Sequence, residues 1–150
     1  PMFVRTPDSH FNLANFMRSH LYAALGALKV GMDILNEGET VSIDKMTGHG
    51  GLFKTEGVGQ KIMAAAVKAP VSVMETAGEG GPWGEAILAA YMVNKAEDET
   101  LQDYLNCKVF ADAKCVTIEP NTEDTEGLES YISKFKEGIE MERIATKVLH

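Results

Sequence analysis

The sequence holds only two cysteines in 150 residues, Cys107 and Cys115. A pair at that spacing fits no common zinc signature, and both read as reduced thiols of a cytoplasmic protein rather than a disulfide. No apolar run approaches the roughly 18 residues that a membrane helix needs. No basic segment followed by an apolar one opens the chain, so no signal peptide is expected. Positive charge is in deficit: 14 Lys and Arg stand against 22 Asp and Glu, for a net charge of −8. That balance argues against nucleic acid, whose binding releases counterions through a basic surface, and against an anionic membrane surface. The lysine-bearing phosphate loop GxxxxGK[ST] is absent, as is the dinucleotide fingerprint GxGxxG. His10, His20, His49 and His150 include no pair at metal-ligand spacing. Asp33 and Asp44 are isolated acids, and nothing resembles a Ser-His-Asp or paired-carboxylate arrangement. No catalytic residue and no metal ligand is therefore assigned.

What is present is a chain that is 45% apolar, enough for one domain with one core. Leu13, Met17, Leu21, Leu25, Leu28, Met32 and Leu35 recur at steps of three and four and predict a long amphipathic helix that Gly38 ends. Val41 and Ile43 alternate with polar residues and predict a strand over 40–46. An Ala-rich helix follows over 60–68, starting no earlier than Val58, because Gly57 and Gly59 weaken its beginning and Pro70 closes it. Residues 71–75 form a β-branched strand. Pro82 suits the first turn of a helix running to about Val93. Beyond an acidic linker at 97–99, a short helix over 101–105, an extended or strand segment over 115–118 and a helix over 125–149 complete the chain. Alternating α and β elements predict an α/β fold with a short, mostly parallel sheet flanked by helices. Two or three short strands make a poor sheet alone, so further strands are expected upstream.

Two glycine clusters stand where strands should end. One is Gly48, Gly50 and Gly51 with His49 inside it; the other is Gly78, Gly80 and Gly81. Ligands of open α/β sheets bind at carboxyl strand ends, and glycine lets backbone approach them closely. Spacing alone leaves two readings for the first cluster, a nucleotide site or a tight turn. Together the clusters predict one rim of a cleft. His49 either touches a ligand there or is a turn residue. Trp83, at the start of the next helix, is either a packed aromatic under the loop or a stacking platform.

The runs TGHGGLFK, QKIMAAAVKAPVSVMET and GPWGEAILAAYM resemble the C-terminal half of FGGY carbohydrate kinases. That family commonly reads T-G-G-G-A, then a helix carrying Q-I-x-A-D, a strand after Pro-Val, and a helix rich in small residues. The preceding run NFMRSHLYAALGALKVGMDIL resembles the helix before the family's glycine strand. The resemblance covers residues 15–93 well and the tail loosely, so the chain divides into a core at about 12–93 and a helical tail at about 97–150. It implies part of an actin-like, ribonuclease H-like ATPase domain. It implies that Gly48, His49, Gly50, Gly51, Leu52 and Phe53 lie against the adenine and ribose of ATP. The reaction would be Mg-ATP-dependent phosphorylation of a pentose or ketose such as xylulose or ribulose. The catalytic base, the sugar-binding residues, the Mg2+ ligands and the first phosphate loop would belong to an N-terminal half absent from this chain. Partners would be ATP, the sugar through that half, and possible second copies of the chain in a homodimer. His49 stands where the family has glycine, and Gly51 where it has alanine. A free-standing nucleotide-binding or assembly module of the same fold is the competing reading.

Overall fold

The computed structural model describes residues 2–38 and 41–149. Helix α1 spans Leu13–Gly38. Asn12 caps it, its Oδ1 accepting from the Asn15 amide at 2.8 Å. Strand β1 is Met46–Gly48, helix α2 Val58–Val67 and strand β2 Val71–Met74. Helix α3 spans Gly80–Asn94, the short α4 Leu101–Tyr104, strand β3 Cys115–Ile118 and helix α5 Thr122–Val148. A π-helical turn, Leu105–Val109, continues α4.

The sheet order is β1-β2-β3. β1 and β2 are parallel and joined through α2, while β3 runs antiparallel on the other edge of β2. The expected strand over 40–46 is corrected to Met46–Gly48. The Met46 amide donates to the Pro70 carbonyl at 2.9 Å, and Met46 pairs with Val71. Pro70 has no N–H to offer, so the ladder starts there and residues 41–45 stay outside it. Thr40, named in the expected strand, and His150 lie outside the described residues.

Two layers pack on α2, one on each face. Ala64 and Val67 face the sheet with Val71. Ala65 and Ala66 face Tyr22 and Leu25 of α1 and Leu128 and Ile132 of α5. Small side chains on both faces of α2 let two layers approach it closely, which explains the alanine run. The C-terminal helix thus completes the core: Leu128 is fully buried and Ile132 nearly so. α5 starts three residues earlier than expected because Asn121 caps it, accepting from the Asp124 amide at 2.8 Å.

The buried face of α1 is rotated from the leucine stripe. Tyr22, Leu25, Gly26 and Lys29 face inward, whereas Leu13, Met17, Leu28 and Leu35 are exposed. Gly26 admits the Phe135 ring: a Cβ there would lie 2.9 Å from Phe135 Cζ. Tyr22 packs edge-on against Tyr131. Lys29 is 3% exposed and bonded to Asp33 at 2.6 Å and Glu129 at 3.2 Å. Its burial opposes the charge, but the two carboxylates outweigh that and hold its pKa above the ordinary lysine value. Glu129 also pairs with Lys68 at 2.8 Å, and Asp33 with Lys136 at 3.3 Å. Asp33, expected to be an isolated acid, is thus a junction between α1 and α5.

Gln60 holds the sheet from beneath. It is 4% exposed, and its Nε2 donates to the Val71 carbonyl at 2.6 Å and the Val116 carbonyl at 2.7 Å. One amide therefore bridges α2 to both β2 and β3. On the face opposite α2, the Ser72 and Thr117 hydroxyls bond across the strands at 2.7 Å.

Candidate functional site

β1 delivers the chain into the first glycine cluster. Gly48 is buried, and the Phe53 ring occupies the space a Cβ would need, with Cε1 at 2.5 Å from that position. Gly50 has φ 102° and ψ −173°, a conformation that only glycine adopts without strain. The chain then coils through a 3-10 turn, Gly51–Phe53, whose Phe53 amide donates to the Gly50 carbonyl at 3.1 Å.

β2 delivers the second cluster. A 3-10 turn, Ala77–Glu79, leads into α3. The Gly50 amide donates to the Ala77 carbonyl at 2.6 Å, which ties the two strand-end loops into a single rim, as the two glycine clusters predicted. Two further contacts close it. Gly78 lies against the Lys54 side chain, whose Cγ and Cε would stand 3.4 Å from a Cβ added there, and Gly80 lies against His49. A Cβ on Gly80 would stand 2.8 Å from His49 Cβ and 3.2 Å from its Nδ1.

Beside this rim opens a cleft of about 320 Å³. Its floor is α3, through Trp83, Ile87 and Leu88. The opposite wall is Leu101, Leu105 and Phe110, with His49 and Gly80 closing the end toward the rim. The wall is anchored to α3 in three places. Trp83 meets Phe110 edge-on at 5.5 Å, and Tyr91 meets Tyr104 at 5.3 Å. The Tyr91 hydroxyl donates to the Glu99 carbonyl at 2.8 Å. Glu99 in turn pairs with Lys108 at 2.8 Å; that bond, first among the causes, holds its pKa below the ordinary carboxylate value. Thr100 caps α4 by accepting from the Asp103 amide.

The six residues read from the sequence divide by where they point. Gly48 is inside, under Phe53. His49 is exposed and lines the cleft. Gly50 carries the positive φ and the bond to Ala77, and Gly51 is exposed on the turn. Leu52 packs toward α1 and α5, and Phe53 toward the sheet cluster. Those two side chains anchor the loop from below and leave backbone to face outward. Trp83 is half-buried and both packs on Phe110 and lines the cleft.

The wall at 101–110 and the Ala77 carbonyl escaped sequence reasoning. The aromatics Tyr91, Tyr104 and Phe110 were the available signal. Among the described residues, no group of three or more His, Cys, Asp or Glu side chains converges as a metal centre. Among them, too, no helix is long and apolar enough to cross a membrane.

The chemistry of the site is therefore that of a backbone rim beside an apolar, aromatic cleft. Such a cleft suits a flat heterocycle, and a glycine rim suits groups that need close backbone approach. No curated protein and no solved structure matches the chain. One family model does: the FGGY family of carbohydrate kinases, C-terminal domain, over residues 1–93. That match takes in β1, the glycine rim, β2 and most of α3, and stops short of the wall, β3 and α5. Since it covers more than half of the chain, the rim is that of a sugar-kinase domain, and the chain belongs to the FGGY family of carbohydrate kinases as a C-terminal part.

Proposed function

We propose that the rim at 48–53 and the cleft beside it hold the adenine and ribose of ATP. The parent enzyme transfers the γ-phosphoryl group to a hydroxyl of a pentose or ketose such as xylulose or ribulose. The observation that carries this reading is the bond from the Gly50 amide to the Ala77 carbonyl. It joins the two glycine turns beside the cleft, which His49 and Gly80 close at that end and Trp83 and Phe110 line. The residues present suit the base and ribose. Trp83, Ile87 and Phe110 offer apolar cover, and the loop backbone offers polar contacts without a bulky Cβ at Gly50 and Gly51. A net charge of −8 is compatible with an anionic ligand held by local backbone dipoles rather than by surface charge.

In the transfer, the sugar hydroxyl oxygen bonds to phosphorus, the bond to the leaving ADP oxygen breaks, and the hydroxyl proton passes to a base. Catalysis of this kind rests on positioning and electrostatic stabilisation. This chain contributes positioning of the nucleoside end. The base, the sugar site, the phosphate loop and the Mg2+ ligands come from the N-terminal half of the parent enzyme, in the cytoplasm. Two features support a missing remainder. α3 carries apolar or small residues on nearly every side, yet none of its described side chains is buried, and Met92 and Val93 are 78% and 83% exposed. β1 pairs only with β2 among the described residues. A stand-alone module of the same fold would instead cover these surfaces with a second copy of itself.

Calorimetric titration of ATP into this chain and into Gly50→Val tests the site. Binding by the parent chain, and its loss in a folded Gly50→Val, is expected. Equal binding by the two would remove the rim from the site.

A further inference from the structure

In the cleft, Trp83, Ile87, Leu88, Leu101, Leu105 and Phe110 supply rings and hydrocarbon. Apart from the Trp83 indole N–H, the one lining side chain able to form a hydrogen bond is His49. It is also the one titratable group among the lining residues. An apolar cleft holds a flat ring but does not distinguish one ring from another. Selectivity comes from a hydrogen-bonding group whose loss leaves a ligand atom unpaired.

His49 is placed by a specific neighbour. Its Cβ and ring lie over Gly80, where an added Cβ would stand 2.8 Å from His49 Cβ, 3.2 Å from Nδ1 and 3.3 Å from Cγ. Gly80 itself has φ −53° and ψ −41°, an ordinary helical conformation that any residue adopts. Glycine is thus not needed there for the backbone. It is needed for the room that His49 fills.

We infer that His49 selects the base of the bound nucleotide, and that Gly80 is the positioning residue that lets its imidazole reach the cleft. This rests on the nucleotide reading of the cleft given above. The ligand class is a purine nucleotide: the imidazole meets the N7 edge of the base, an acceptor that pyrimidines lack, while Trp83 and Phe110 line the cleft beside it.

The chain has one tryptophan, and it lines the cleft, so Trp83 emission reports occupancy directly. Emission titrations with ATP and CTP would be run on the wild-type chain and on His49→Phe, His49→Gln and Gly80→Ala, with ATP binding also measured by calorimetry. The wild type is expected to favour ATP. His49→Phe keeps a ring but no hydrogen bond, and is expected to weaken ATP about 3- to 10-fold and to bring ATP and CTP together. His49→Gln is expected to keep most of the preference. Gly80→Ala is expected to match His49→Phe in binding while remaining folded by circular dichroism, because its Cβ displaces the imidazole from the cleft. In His49→Gly, adding Gly80→Ala should then change nothing.

ATP binding with unchanged affinity and base preference in both His49→Phe and Gly80→Ala overturns this inference and leaves the nucleotide site standing. Absence of any ATP signal from the wild-type chain, by emission and by calorimetry, overturns both.

Discussion

The Gly50 amide donates to the Ala77 carbonyl at 2.6 Å, joining turns that follow two neighbouring parallel strands. This bond makes one rim from two loops 27 residues apart in sequence. It requires Gly50 at φ 102°, so Gly50→Ala should cost about 1–3 kcal/mol of stability. Urea unfolding of the two proteins measures it. A shift below about 0.3 kcal/mol would mean that the turn relaxes freely.

Gly26 and Gly31 lie in the same helix with opposite surroundings. A Cβ at Gly31 meets nothing within 4 Å, whereas one at Gly26 meets the Phe135 ring. Gly31→Ala should therefore stabilise by up to about 1 kcal/mol through helix propensity. Gly26→Ala should destabilise by about 1–3 kcal/mol through overpacking against α5. Thermal melts of both variants decide it, and equal shifts would show that α5 does not seat on Gly26.

Much of this architecture is legible in the sequence, and the exceptions have physical reasons. Pro70, the alanine run and the β-branched 71–74 stretch locate α2 and β2 because each acts locally. β3 is legible as extended, but its antiparallel pairing depends on β2 alone. β1 escapes by several residues because a ladder needs a partner with an N–H, and Pro70 has none. The inward face of α1 is set by Phe135, Tyr131 and Glu129, more than 90 residues away, so its leucine stripe misleads. The glycine rim is legible because glycine marks backbone needs. The wall through Phe110 is not, because its contact with Trp83 spans 27 residues of sequence.

Gln60 offers a test of the sheet's attachment. Gln60→Leu keeps the apolar volume but leaves the Val71 and Val116 carbonyls without their donor. The expected cost is about 1–3 kcal/mol, read from urea unfolding. Hydrogen exchange should quicken first in β3. Unchanged exchange in β3 would mean that its ladder to β2 suffices without the amide.

The α1–α5 ion network sets an acid limit. The bond to Lys68, then that to Lys29, holds Glu129 below its ordinary value of 4.5. Asp33 is raised by burial but lowered more by Lys29 and Lys136, and ends below 3.8. A carboxylate with a depressed folded pKa adds stability above its unfolded pKa and loses it as pH falls through the folded one. Lys29, raised above 10.5, adds stability below that pH and loses it only as pH climbs through the raised value. Stability should therefore be level through neutral pH and decline below about 4.5. Glu129→Gln should flatten that decline. A urea midpoint profile from pH 3 to 7 that is the same for both proteins would exclude the network as its source.

The central claim is that the rim at 48–53 and the cleft beside it hold the nucleoside end of ATP. Photolabelling with an azidopurine analogue of ATP, followed by peptide mapping, tests it most directly. The predicted adducts fall within 48–53 and on α3 or its wall near Trp83 and Phe110, and excess ATP suppresses them. Labelling elsewhere on the chain, or labelling that ATP does not suppress, would contradict it.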